Sequence, residues 1–286
     1  MKMSIPEVTI SQLIASYDAL ALDAFGVLVD ESGAGEESRR LINHLNRIHK
    51  PYWIVTNGSS REPAQMAAYY QRLGLAVPPG RVITSGCLLM DYFKEQSLQG
   101  TRVACLGTTG SRNMVEQAGG RLVDPLKEGS FDVLVVSNQT EYPFLETIDA
   151  VISAIIRQRD DGKVVRLVLT NPDLIYPKGK AAFGITSGAI ALLIEQVLAV
   201  RYPGSRDNLF VRLGKPFAPI FKMLCSVAQT RNIVMIGDQI DTDIQGARSY
   251  GLDAVLYTRG VTKIDTLSFA GEPRPNFLLN SLWDGE

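Results

Sequence analysis

Ala19-Leu20-Ala21-Leu22 is an unbroken apolar run, and the residue that ends it is an aspartate. A run that is apolar without alternation and too short for a helix reads as a strand buried on both faces, which is the condition of a parallel sheet covered by helices. Tyr52-Trp53-Ile54-Val55, Ile233-Val234-Met235-Ile236 and Asp253-Ala254-Val255-Leu256-Tyr257 repeat the pattern, and Asn276 to Leu279 adds an edge strand. Helical spacing falls between them. Leu41, Ile42, Leu45 and Ile48 form one apolar face over Glu36 to His49. The next helix has Ser60 as its N-cap and Pro63 in its first turn, and it stops at Gly74. This alternation predicts an α/β protein with a Rossmann-like, doubly wound parallel sheet. In such sheets ligands bind outside the carboxyl ends of the strands. The residues that follow each apolar run are therefore the candidate site.

A second alternation begins near residue 86. Val103 to Leu106, Asp132 to Val136 and Val164 to Leu169 read as strands, and Ser111 to Ala118 and Phe144 to Arg159 as helices. The expected organisation is a core domain made of 1–85 and 185–286, with an inserted α/β cap domain at 86–184. The 286 residues are enough for both. The core resumes with the apolar helix Ser187 to Val200 and a strand from Leu209 to Leu213.

Lys+Arg 29 against Asp+Glu 30 gives a net charge of −1 with no long basic run, which argues against nucleic acid as a partner. No apolar run approaches the span of a bilayer and no apolar signal core follows Met1, so no membrane partner and a cytoplasmic location are expected. Cys87, Cys105 and Cys225 are widely spaced without a CxxC pair and read as reduced core residues.

The strand ends are rich in polar groups. Asp23 follows the first run, and it either caps the next turn or holds a cation or attacks an electrophile. Thr56-Asn57-Gly58-Ser59-Ser60 follows the second and suits an anion, or simply turns the chain. Asn171 and Asp173, in Thr170-Asn171-Pro172-Asp173, either face a substrate or form an Asx turn; the stretch 171–180 is the candidate for substrate contact. Lys215, in Gly214-Lys215-Pro216, sits where a point charge can neutralise a phosphate or a carboxylate. After Ile236 come Asp238, Asp241 and Asp243. Hard oxygen donors at a sheet's carboxyl end suit Mg²⁺ with Asp238 as ligand, while Asp241 as a helix cap and Asp243 in the first turn are favourable electrostatically without any metal.

Taken together, Asp23-x-x-Gly26-Val27, Thr56-Asn57-Gly58-Ser59, Gly214-Lys215-Pro216 and Gly237-Asp238-x-x-x-Thr242-Asp243 resemble the four ordered motifs of the haloacid dehalogenase superfamily. The insert, closing with Thr170-Asn171-Pro172-Asp173 and the Ser187-Gly188-Ala189 helix, is similar to its class IIA, NagD-like capped phosphatases. The resemblance implies that Asp23 is a nucleophile forming an aspartyl-phosphate and that Thr56, Asn57 and Gly58 bind phosphate. It makes Lys215 the lysine that steadies the nucleophile. It also implies that Asp23, the Phe25 carbonyl, Asp238 and Asp243 serve Mg²⁺, directly or through a water. The implied substrate is a small phosphorylated metabolite, a sugar or nucleotide phosphate, and a homodimer is among the expectations.

The sequence departs from that family at Phe25, where its phosphatases carry the aspartate that protonates the leaving oxygen. Losing a general acid typically costs ~10²–10⁴ in rate. Three readings follow: an attenuated Mg²⁺-dependent phosphatase or phosphotransferase, a phospho-ligand binding or regulatory protein without turnover, and a metal-independent dehalogenase.

Overall fold

The computed structural model describes residues 5–178, 182–260 and 274–285. Residues 179 and 180 of the candidate stretch 171–180 lie outside them. The chain divides into two compact units, Met1–Thr56 with Pro63–Ile83 and Lys215–Glu286, and Asn57–Glu62 with Thr84–Gly214.

In the first unit the fully buried strand Ala19–Leu22 pairs in parallel with Ile233–Gly237 on one side and with Tyr52–Thr56 on the other. Asp253–Tyr257 and Phe277–Leu279 extend the sheet beyond the former, and Val82–Thr84 beyond the latter. The winding therefore reverses beside Ala19–Leu22, the place where a parallel sheet opens a crevice. Leu22 lies opposite both Ile54 and Ile236. This register makes Asp23, Thr56 and Asp238 leave the sheet at one edge. Leu20, Leu22, Ile54, Val234 and Ile236 join Leu41, Ile42 and Leu45 of the helix Glu36–Arg47 in a continuous core. Between Asp23 and the helix Glu36–Arg47 the chain forms a small hairpin, Val29–Asp30 against Gly33–Ala34.

The second unit has its own parallel sheet, ordered Val211–Arg212, Arg166–Leu169, Val133–Val136, Arg102–Leu106 and Arg121–Val123. Ala104, Leu106, Leu134, Val136, Leu167 and Leu169 pack with the helices Phe144–Asp160 and Ser187–Arg201. The chain thus returns to the first unit at Lys215 rather than near residue 185. Ile190, Ile194 and Leu198 join the second unit's core, and Glu195 adds a polar tie. Its buried carboxylate accepts the Phe210 N–H at 2.8 Å and two bonds from Arg212 at 2.8 Å, tying Ser187–Arg201 to the strand that extends this sheet. Two parallel α/β layers, a core and an inserted cap domain, are the architecture the alternation predicted.

Two smaller expectations change. The helix after Tyr52–Thr56 begins at Pro63, so Ser60 is not its N-cap. Cys87, Cys105 and Cys225 are free but half-buried rather than fully in the core. No helix among the described residues is long and apolar enough to cross a membrane.

Candidate active site

The Asp23 N–H donates to the Ile236 carbonyl at 2.9 Å, which pins the first residue beyond the strand to the neighbouring strand. The chain then turns tightly, with the Leu28 and Val29 N–H groups donating to the Ala24 oxygen at 2.9 Å and Gly26 N–H to Val29 at 2.8 Å. Gly26 has φ +91°, and a Cβ there would lie 2.1 Å from Asp238 Oδ2. Only glycine combines that backbone with so close an approach to a carboxylate. Phe25, just before it, is half-buried.

On the adjacent strand a Cβ on Gly237 would fall 2.2 Å from that of Asp243. The turn Ile240–Ile244 is π-helical, with Ile244 N–H donating to the Gln239 carbonyl at 3.3 Å. This wide turn brings Asp243 back to the strand end, where its Oδ2 accepts the Gln239 N–H at 3.2 Å. Asp241 is exposed and does not cap the turn; Gln239 occupies that position without a side-chain cap bond.

Lys215, the first residue of the returning chain, completes the cluster. Its Nζ donates to Asp23 Oδ1 and to Asp243 Oδ1, both at 2.6 Å, with Lys215 3%, Asp23 5% and Asp243 0% exposed. Burial disfavours the ammonium, but the two carboxylates outweigh it and hold the lysine above its ordinary pKa. Burial raises the Asp243 carboxyl to about 8; Lys215 opposes the rise while Asp23 and Asp238 add to it.

Asp23, Asp238 and Asp243 each offer an oxygen within 4.8 Å of the others. One ammonium does not balance three buried carboxylates, and the Asp23 and Asp238 charges add to the burial that raises Asp243. A hard divalent cation with oxygen ligands at ~2.0–2.6 Å fits this all-carboxylate set.

Tyr70, which sequence reasoning did not single out, is buried, feels the charges of Asp23 and Lys215 and hydrogen-bonds to the Thr56 side chain. Burial, followed by the Asp23 charge, raises its pKa and keeps the hydroxyl protonated. Its position in Pro63–Arg72 follows the apolar face of the helix, so nothing in the pattern marks it out.

The remaining candidates lie in the second unit. Asn57 is buried; its Nδ2 donates to Asp173 Oδ1 at 2.8 Å and its carbonyl accepts Ser85 Oγ at 2.6 Å. Gly58 follows it, half-buried. Asn171 Oδ1 accepts the Asp173 N–H at 2.9 Å, so the Asx turn is real. The Asp173 carbonyl accepts the Gly188 N–H at 3.0 Å, near the start of Ser187–Arg201. The structure therefore gathers Asp23, Lys215, Asp238 and Asp243 in one unit and Asn57, Asn171 and Asp173 in the other.

Comparison with known proteins agrees with this geometry. A family model described as haloacid dehalogenase-like hydrolase matches residues 20–121, and a second, HAD-hydrolase-like, matches 212–285. The chain is 27% identical over 265 residues to a dihydroxyacetone phosphatase of Corynebacterium glutamicum, covering 92% of this chain and 88% of that one. It is 26% identical to an acid sugar phosphatase of Staphylococcus saprophyticus, covering 93% and 96% of the two chains. A crystal structure of a possible sugar phosphatase of the HAD superfamily from Cytophaga hutchinsonii superposes with a TM-score of 0.80 at 26% identity, covering 98% of this chain and 99% of that one. With its reversed parallel sheet, inserted cap domain and clustered acidic triad, the chain has the haloacid dehalogenase-superfamily hydrolase fold.

Proposed function

We propose that this protein is a Mg²⁺-dependent phosphatase of the NagD-like branch acting on a small phosphorylated metabolite through an aspartyl-phosphate. The observation that carries the reading is the bridge of Lys215 Nζ between Asp23 and Asp243 at 2.6 Å inside a buried acidic cluster. The phosphatase relatives, two of them named for sugar or dihydroxyacetone phosphate chemistry, support the substrate class.

Asp23 is the nucleophile: its carboxylate attacks phosphorus and the bond from phosphorus to the leaving oxygen breaks. That oxygen departs as an anion that solvent protonates, and water then hydrolyses the aspartyl-phosphate to phosphate and the free carboxylate. Lys215 holds the carboxylate oriented and offsets charge building on the phosphoryl oxygens. Asp23, Asp238 and the Phe25 carbonyl are the groups that would hold Mg²⁺, with Asp243 supporting them. When bound, the ion supplies counter-charge for an anionic nucleophile meeting an anionic phosphate. Thr56, Asn57 and Gly58 bind the phosphate oxygens, and Asn171 and Asp173 contact the rest of the substrate.

Phe25 has no proton to give the leaving oxygen, so esters with good leaving groups turn over faster than alkyl phosphates. The same residue favours a second reading, a phospho-ligand binding or regulatory protein that retains the pocket without turnover. Assay with 4-nitrophenyl phosphate and an acyl phosphate, with and without Mg²⁺, separates the two. Metal-dependent release lost in Asp23→Asn supports the phosphatase. Calorimetric binding of phosphometabolites without any release supports the second reading instead.

A further inference from the structure

Tyr70 belongs to the apolar core of the first unit, 1% exposed, in a cluster that includes Leu22, Ile54, Leu75 and Val77. A phenylalanine would fill the same space without taking a polar atom out of water, and a buried hydroxyl is costly unless it is bonded. The Tyr70 hydroxyl is bonded, to the side chain of Thr56.

Thr56 is the last residue of Tyr52–Thr56 and is half-buried, so it keeps an access to solvent that Tyr70 has lost. Leu22 pairs with Ile54, which puts Asp23 and Thr56 at neighbouring strand ends. Tyr70 feels the Asp23 charge and the opposing Lys215 charge, so its hydroxyl lies near the same strand ends. The helix Pro63–Arg72 thus carries a buried phenol up to the edge where the acidic cluster begins.

A threonine hydroxyl has one hydrogen and two lone pairs, and it turns about its own bond. Only the hydrogen is useful to a phosphate oxygen. The Tyr70 phenol decides which of the two a ligand meets. Burial and the Asp23 charge both disfavour a phenolate, so the phenol keeps its hydrogen. Donated to Thr56 Oγ1, that hydrogen occupies the accepting side of the threonine and leaves the threonine hydrogen for a ligand. With the opposite polarity the phenol hydrogen would point into the apolar core. Hydrogen bonds in a chain of this kind polarise one another, so the first strengthens the second.

We propose that Tyr70 is a positioning residue for phosphate: its hydroxyl donates to Thr56 Oγ1 and turns the Thr56 hydroxyl hydrogen toward a bound phosphate oxygen. Tyr70 itself touches no substrate, and its role rests on the reading of Thr56 as a phosphate ligand.

The probe is inorganic phosphate, titrated calorimetrically into the full chain with Mg²⁺ present, alongside steady-state turnover of 4-nitrophenyl phosphate. Tyr70→Phe keeps the ring and removes the hydroxyl. It should weaken phosphate roughly five- to tenfold, the value of one hydrogen bond, and raise KM by a similar factor while kcat stays within about twofold. Thr56→Val should weaken phosphate at least as much, and adding Tyr70→Phe to it should cost nothing further, because the phenol then has no hydroxyl to orient. Thr56→Ser, which keeps a hydroxyl, should remain sensitive to Tyr70→Phe. Tyr52→Phe, which removes a tyrosine hydroxyl bonded to Asn46 at 3.1 Å, should leave phosphate affinity unchanged. A tyrosine that only supports the fold would instead lower the melting temperature and give effects that add to those of Thr56→Val. Unchanged phosphate affinity in Tyr70→Phe, or full additivity with Thr56→Val, overturns the role of Tyr70 and leaves the phosphatase reading in place. Absence of both phosphate binding and turnover in the parent chain, or a Thr56→Val chain that binds phosphate as the parent does, overturns the phosphate site itself and the role of Tyr70 with it.

Discussion

Lys215 Nζ lies 2.6 Å from Asp243 Oδ1, and both side chains are sealed from solvent. The lysine is thus a structural counter-ion of the buried cluster. Removing one partner of a buried ion pair typically costs ~3–5 kcal/mol, because the other charge is left unpaired. Lys215→Met should therefore lower the free energy of unfolding by ~3–5 kcal/mol as well as remove the proposed activity. A melting curve indistinguishable from that of the parent chain would contradict the geometry.

Metal binding should be visible without any turnover. A cation that binds only the folded chain stabilises it by about 2.7 kcal/mol at a hundredfold excess over its Kd. Mg²⁺ should raise the melting temperature, EDTA should reverse the rise, and Asp238→Asn should abolish it while the chain stays folded by circular dichroism.

Gly26 sets the distance between two strand ends. Gly26→Ala places a Cβ 2.1 Å from Asp238 Oδ2 at a φ of +91°. The expected result is a destabilisation of ~1–3 kcal/mol from backbone strain and displacement of Asp238. Loss of the Mg²⁺-induced rise in melting temperature should accompany it, whereas Gly33→Ala, whose nearest neighbour is 3.8 Å away, should leave the metal response intact.

Under the proposed mechanism, Phe25→Asp supplies a proton donor two residues after Asp23. If the missing acid limits turnover, kcat on alkyl phosphates should rise by about 10² or more, with little change on 4-nitrophenyl phosphate. Equal effects on both substrates would mean that leaving-group protonation is not the limiting step.

Alkaline stability should depend on Tyr52. Burial, opposed by the Arg81 charge, raises its phenol from 10 to about 12. The folded state holds the proton more tightly than the unfolded chain, so this contribution is complete below pH 10 and lost as pH climbs toward 12. Tyr52→Phe should flatten that part of a stability profile measured by denaturant unfolding.

The strand Ala19–Leu22 and the aspartate behind it were legible because a short, wholly apolar run has few alternatives, and the same holds for Ile233–Gly237. Asp23 and Asp238 stood out because each comes at the end of such a run, whereas Lys215 follows a strand that carries Arg212 and Asp243 lies in the turn beyond its strand, and no local signal said which carboxylates the lysine would touch. Tyr70 was hidden inside an ordinary apolar helix face.

The order of residues alone determined the α/β alternation and which polar groups stand at strand ends, since hydrophobic periodicity is a local property. Only the tertiary structure decided where the second unit closes. Ser187–Arg201 buries Ile190, Ile194 and Leu198 yet leaves Leu193, Val197 and Val200 exposed. A helix apolar on both sides carries no internal mark of the sheet it covers; Ile190, Ile194 and Leu198 join the second unit's core, and Glu195 pairs there with the part-buried Arg212, contacts that exist only once distant segments meet.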